Sequence, residues 1–513
     1  MKSSTRTAAL VTGAVVVLLA PIAALRAAGD PDDPRISVGA AAPATLLPGD
    51  VRDTAGRMIA NAVWTGLVTY DPATGAPRTG APANAAAESI TSPDRKVWTV
   101  RLRPGATFQD GTPVTSRSFT GAWTAVLREG WAGSRLFTDV ARVKGAKRGA
   151  AEVPGLKVKD DRTFEVTLDR PLTGFPALLG DPAFFPMPEQ VLTSRDWTSY
   201  GRAPVGNGPF RLRSRSAREI VLAPVKGGRS VAVKQMPDAR TQYAAAEAGD
   251  LDVATQVPAE RHESMDADFG ARHRAVHGRE VTYLAFPGWE ERLASPTVRQ
   301  ALSMAIDRSA VTEGPLGYQY TPADALVAPG ILPGHREGQC RLCVHDSKAA
   351  VSALADAGGL TGPVNLWYEA NRGDDAWVRT VADQLRKELK LDARPHPVTG
   401  LAKALDDREV DGPFVVHTTA AYPAPVAALT PLLDAGTGFD DDYATGLVAE
   451  AERATSPDEG VIPARLAESA LLRDMPAMPL WSRHDHLVWS ERVRGVTAGA
   501  FTGLRLTALT VKD

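Results

Sequence analysis

Between Arg101 and Leu127 the chain reads RLRPGATFQDGTPVTSRSFTGAWTAVL, and this stretch leaves little freedom in fold class. Residues 97–102 alternate apolar and polar side chains as a half-buried strand does, and Pro104-Gly105 ends the run. Asp110-Gly111 suits a turn, and Thr115 or Ser116 is placed to cap a helix through Leu127. A strand, a tight turn and a capped helix in so few residues mark an α/β chain. The rest of the sequence keeps that alternation. Strands are expected at 35–38, 97–102, 156–158, 163–168 and 251–255, at 281–286, and as a hairpin pair at 210–213 and 220–223. Helices are expected at 53–67, 241–249, 296–306, 347–357, 376–389 and 443–454. No fixed-period repeat is present, which removes solenoids and propellers.

At 513 residues the chain exceeds a usual single core, so two or more domains are expected. A net charge of -2 leaves no basic footprint, which argues against nucleic acid as a partner. Lys2 and Arg6 precede an apolar stretch from Ala8 to Leu25, the layout of an export signal. Residues 1–29 therefore read as a signal peptide or an N-terminal membrane anchor. No cysteine lies near this stretch, so lipid cannot be attached there. The protein is expected outside the cytoplasm, held at the membrane by its N-terminal segment or secreted.

The two cysteines, Cys340 and Cys343, stand in GHREGQCRLCVHD. In an exported chain a local disulfide is the favoured reading. A metal site recruiting His345 and His335 is the alternative.

Several blocks, taken in order, resemble the extracytoplasmic solute-binding proteins of ABC importers, the peptide, dipeptide and nickel class known as solute-binding protein family 5. Leu102 to Trp123 carries the likeness best, preceded by VWTGLVTYDPATG. PVGNGPFRL, AAAEAGDLDVA, PTVRQALSMAIDRSAV, AERATSPDEG and MPAMPLWSRHDHLVW follow. The resemblance implies a periplasmic-binding-protein-like type II fold, two lobes with a hinge plus an extra small subdomain. The first lobe would comprise 35–77, 185–283 and 483–513, the subdomain 78–184 and the second lobe 284–482. It also implies a monomer that closes around a peptide or peptide-like solute and delivers it to an ABC permease and ATPase complex, with no cofactor.

Candidate ligand-binding residues follow from this likeness. Peptide-binding members place an aspartate for the ligand's ammonium in a segment matching VVHTTAAYPAPVAALTPLL, and the position here is Ala421. Thr418, Thr419 and Tyr422 remain for neutral contacts, with core packing equally open for Tyr422. Trp481 falls where the resemblance places cleft aromatics, and Arg483 shares its face if the segment is a strand. There an arginine suits an anionic group, with a solvated surface charge as the other reading. Trp64 reads as core or cleft, and Trp367 and Asn371 follow a second-lobe strand. His484 and His486 share one face of that same segment, which fits a shared metal or a plain surface strand.

No H-E-x-x-H, G-x-S-x-G, P-loop or dinucleotide fingerprint is found, so an enzyme is not expected. Two alternatives share the fold: a membrane-tethered sensory or signalling ectodomain, and a binder of nickel or a metal chelate.

Overall fold

The computed structural model describes residues 35–71, 75–332, 334–433, 436–438 and 441–512. The Ala8 to Leu25 stretch lies outside the described residues. Among the described residues, no helix is long and apolar enough to cross a membrane.

Eleven strands form one large sheet. From one edge the order is Asp392–Val398, Pro363–Glu369, Phe414–Thr419, His273–Ala285 and Ala477–Trp489. It continues through Val253–Ala254, Ile36–Ala40, Val231–Gln235 and Glu219–Pro224 to Phe210–Arg215. Tyr320–Pro322 pairs with Ala477–Trp489 off this path. The strands either side of the middle make two lobes, and the two central strands, 13 residues each, pass through both. Ile36–Ala40 runs parallel to its neighbours on both edges and buries Ile36, Val38 and Ala40, as an interior parallel strand must.

The central pair is not regular. His277 faces His484 but Val281 faces Ser482, so Gly278, Arg279 and Glu280 stand opposite Arg483 alone. One step on, Thr282 faces Trp481 while Tyr283 faces Pro479, leaving Leu480 as the extra residue on the partner strand. Such bulges bend a strand and turn its side chains to new directions. The second slip is held by Arg308, whose guanidinium donates from Nε to the Pro479 carbonyl at 2.9 Å. Its Nη1 donates to the carbonyls of Ser303 at 3.0 Å and Cys343 at 2.8 Å. Cys340 and Cys343 are joined by a disulfide.

A separate four-stranded antiparallel sheet, Ala87–Thr91, Val97–Leu102, Thr163–Thr167 and Leu156–Asp160, forms the subdomain. Helix Ser116–Glu129 covers it. Thr115 caps that helix, its hydroxyl accepting from the amides of Arg117 and Ser118 while Ser118 Oγ accepts from the Thr115 amide. Trp123 sits in the core against Phe137, Phe164 and Phe184 and donates to the Phe184 carbonyl at 3.0 Å. Before the cap, Asp110 accepts from the Thr112 amide at 2.9 Å and Gly111 takes φ +87. Gln109 then joins the subdomain to the first lobe. Its Nε2 donates to the Phe210 carbonyl at 2.7 Å, and its Oε1 accepts from the Gly206 amide at 3.2 Å.

Two elements depart from expectation. The helix expected over 53–67 is Thr54–Val63, capped by Asp53. It stops because the Val63 carbonyl accepts from the Gly208 amide at 2.8 Å, with Gly206 and Gly208 packed on that carbonyl where any Cβ would clash. The strand expected at 281–286 begins at His273. Its first half lacks an apolar period and is extended because it pairs along Ala477–Trp489.

Candidate functional site

The hinge strands and the second lobe enclose a cavity of 190 Å³. Thr282, Trp481 and Arg483 come from the two long strands, Trp377 and Asp374 from the 371–377 turn and helix, and His417 from Phe414–Thr419. Trp377 meets Trp481 edge-on, with centroids 4.7 Å apart. A hydrogen-bonded chain sets the polar wall. Thr282 Oγ1 lies 3.1 Å from His417 Nδ1, His417 Nε2 lies 3.2 Å from Asp374 Oδ2, and Trp377 Nε1 donates to Asp374 Oδ1 at 2.9 Å. Burial raises the Asp374 pKa, but the His417 and Trp377 hydrogen bonds outweigh it and keep the carboxylate below its ordinary range. The site thus offers apolar ring faces, a fixed acid and the Arg483 guanidinium, which lies 3.6 Å from Asp485 with its side chain half exposed.

A second cavity, of 230 Å³, opens in the first lobe. Trp64, Asn61 and Tyr70 line it with Thr502 from the C-terminal segment. The remaining candidates do not line either cavity. Trp367 is buried, donates to Asp411 at 2.9 Å and stacks on His396. Asn371 is exposed with φ +66. Thr418 is buried and Thr419 is exposed beside Glu280.

Tyr422 is buried where the subdomain meets the second lobe. The Thr173 amide donates to the Glu452 carbonyl at 2.8 Å, and Arg170 pairs with the Glu452 carboxylate at 3.2 Å. Gly174 lies under the Tyr422 ring, where an added Cβ would stand 2.2 Å from Cε2. Gly174→Ala is therefore expected to push the two bodies apart and destabilise their contact by about 1–3 kcal/mol. Small-angle scattering should show a larger radius for the variant. An unchanged radius with unchanged stability would mean the contact is dispensable.

A cluster that local spacing reveals only in part lies at the first-lobe end of the hinge strands. His484 and His486 are joined by His277 across the strand pair and by His262 from the 3-10 turn after Pro258. Ring centroids are 4.3 Å apart for His262–His486 and 4.6 Å for His484–His486. His484 Nδ1 lies 2.8 Å from the Thr321 hydroxyl, and His262 Nε2 lies 3.0 Å from the Gln319 amide. Both ring nitrogens of His486 are buried and lack a hydrogen-bond partner among the described residues. Despite this crowding, no group of three or more His, Cys, Asp or Glu among the described residues is arranged to hold a metal ion.

Two lobes sharing one sheet, hinged on two long strands with a cavity beside them, define a two-lobed solute-binding architecture. The chain belongs to the bacterial extracellular solute-binding proteins, family 5, whose family model matches residues 81–440. The periplasmic murein peptide-binding protein MppA of Escherichia coli (strain K12) is 26% identical over 330 residues, covering 59% of this chain and 60% of the relative. The dipeptide-binding protein DppE of Bacillus subtilis (strain 168) is 29% identical over 255 residues, or 47% of this chain and 46% of that one. The chain therefore matches less than two thirds of the length of these relatives. Among solved structures, the unliganded open form of the murein tripeptide-binding protein MppA superposes with a TM-score of 0.79 at 20% identity, covering 94% and 98% of the two chains. HbpA2 from Haemophilus parasuis gives 0.77 at 18%, covering 93% and 100%. These superpositions establish the periplasmic-binding-protein-like type II fold.

Proposed function

We propose that this protein is the extracytoplasmic solute-binding component of an ABC importer. It captures a peptide or peptide-like solute between its lobes by hinge closure and presents the closed form to a membrane permease. The observation that carries this reading is the pair of long strands threading both lobes, with the aromatic and charged cavity beside their bulges. Most of the similar relatives are named for peptides, namely murein peptide, dipeptide, oligopeptide and glutathione, and one is named as a probable deoxycholate-binding protein. In this reading the first lobe is 35–77, 185–283 and 483–513, the subdomain 78–184, and the second lobe 284–482. Trp64, Trp481 and Arg483 face solute, with Thr419 at the rim, and the protein acts as a monomeric binder without chemistry of its own.

Ala421 has a direct consequence. A carboxylate is absent where peptide-binding members hold an ammonium, and an unpaired buried ammonium costs several kcal/mol. Peptides with a blocked amino end should therefore bind more tightly than their free-amine counterparts. Calorimetry with trialanine and N-acetyl-trialanine, on the wild type and on Ala421→Asp, tests this together with mass spectrometry of whatever co-purifies. Tight binding of free trialanine by the wild type, unchanged in the variant, would defeat the charge argument. A non-peptide co-purifying ligand with no peptide binding would defeat the reading itself.

A further inference from the structure

Arg279 sits in the bulge of the hinge strand, between the two lobes. Its backbone carbonyl accepts from the Ala420 amide at 3.0 Å, and its Nη1 donates to the Ala420 carbonyl at 3.1 Å. That ties it to the second lobe, one residue before Ala421. From the other side its guanidinium lies over the first-lobe ring of Phe501, 5.1 Å from the centroid. The side chain is thus half-buried between the lobes.

What it lacks is an anion. Two carboxylates act on its charge, Asp181 and the adjacent Glu280. Asp181 is already committed, pairing with Arg57 at 2.7 Å and accepting from the Ala183 amide at 3.0 Å, and Glu280 makes no contact ion pair with Arg279. No carboxylate among the described residues forms an ion pair with Arg279, and its Nε and Nη2 bond no protein group there. Asp181 is matched by Arg57, and Glu280 acts on Arg279 only at a distance, so the Arg279 guanidinium keeps two donors free of any contact ion pair. Burial, and then the neighbouring Arg57, draw the Arg279 guanidinium down to about 10. It stays charged at neutral pH, in surroundings that disfavour the charge. An arriving anion removes that penalty and meets a planar fork of free donors. Arg483 is a weaker candidate because it is half exposed and lies near Asp485.

We propose that Arg279 is the cleft's anion anchor, so that the solute this protein captures carries a carboxylate that pairs with it where the two lobes meet. The proposal rests on solute capture between the lobes and narrows the solute class. The bulge gives the residue its direction. With Gly278 to Glu280 set against a single partner residue, the strand turns Arg279 toward Ala420 and Phe501, while Glu280 lines the hinge cavity.

The test is calorimetry on wild type, Arg279→Gln and Arg279→Lys with three probes: N-succinyl-trialanine amide, N-acetyl-trialanine amide and succinate. The wild type should prefer the succinyl over the acetyl peptide at least about tenfold. Arg279→Gln should weaken the succinyl peptide by about 30-fold or more and leave the acetyl peptide unchanged. Arg279→Lys should restore part of the loss, because it keeps the charge without the fork. Thermal midpoints of the variants report whether the fold is intact. Equal binding of both peptides by the wild type, or a preference that survives in Arg279→Gln, overturns the proposal while leaving peptide capture standing. Succinate binding that depends on Arg279, with neither peptide bound, supports the anchor and overturns peptide capture. Absence of binding by all three overturns both.

Discussion

Bringing the protein from pH 7 to pH 5 is expected to cost on the order of 4 kcal/mol of stability. The cause is the histidine cluster. Burial first, and then the neighbouring histidines, draw His484 down to about 4 and His486 to about 3. In the unfolded chain both protonate near their ordinary value of about 6.5. Between that value and the folded ones the unfolded chain binds more protons, so stability rises with pH there. The contribution is fully present above about pH 6.5 and is lost as the pH falls toward 4 and below. Scanning calorimetry from pH 5 to 8 should show the midpoint falling steadily on the acid side. His486→Leu should remove about half of that slope and add about 1 kcal/mol at pH 7, because both ring nitrogens are buried without partners. Parallel pH profiles for variant and wild type would rule the cluster out as the cause.

The second large effect is expected at Arg308. It is 3% exposed, and burial with no carboxylate beside it draws its guanidinium down to about 9. Arg308→Met would leave the carbonyls of Pro479, Ser303 and Cys343 without this donor inside the core. The expected loss is about 3–5 kcal/mol, read from the denaturant midpoint. Because Pro479 lies beside the Leu480 slip, the hinge should loosen as well, and amide exchange at Leu480 and Trp481 should accelerate. A loss below about 1 kcal/mol would mean that other donors replace the guanidinium.

The parts of this fold that were legible are those whose signals are local. Thr115, one of the two cap positions the sequence offers, caps the subdomain helix, which runs past the expected Leu127 to Glu129 and ends at Gly130. The 375–389 helix has a clear apolar stripe, with Trp377, Val378, Val381 and Leu385 buried. The hinge was harder. Residues 273–280 carry histidine, arginine and glycine where a strand signal would need alternation, and they are extended only because a strand two hundred residues away pairs with them. The site was harder still. Trp481 could be placed, but Trp377 and His417 reach it from separate elements, and Trp64 meets Thr502 from the far end of the chain. Arg279 has no local signal at all, since its meaning depends on Ala420, Phe501 and the prior commitment of Asp181.

The closure of the first lobe also fixes an order of events. Ile36–Ala40 pairs with Val253–Ala254, which in turn pairs with Val488 and Trp489. Asp252 accepts from Ser37 at 2.8 Å and from Arg492 at 2.7 Å, and Arg492 donates to the Arg35 carbonyl. The strand that begins this domain is thus locked by residues near the other end of the chain. A ribosome or an export channel releasing the amino end first delivers a sheet whose central position stays unfilled, leaving Val253–Ala254 unpaired on one side, until Ala477–Trp489 emerges. Contacts of such long sequence separation make closure slow, and an unpaired strand edge is open to aggregation while it waits. In an exported chain threaded through a membrane channel, lateness of this kind keeps the polypeptide threadable until nearly all of it is across.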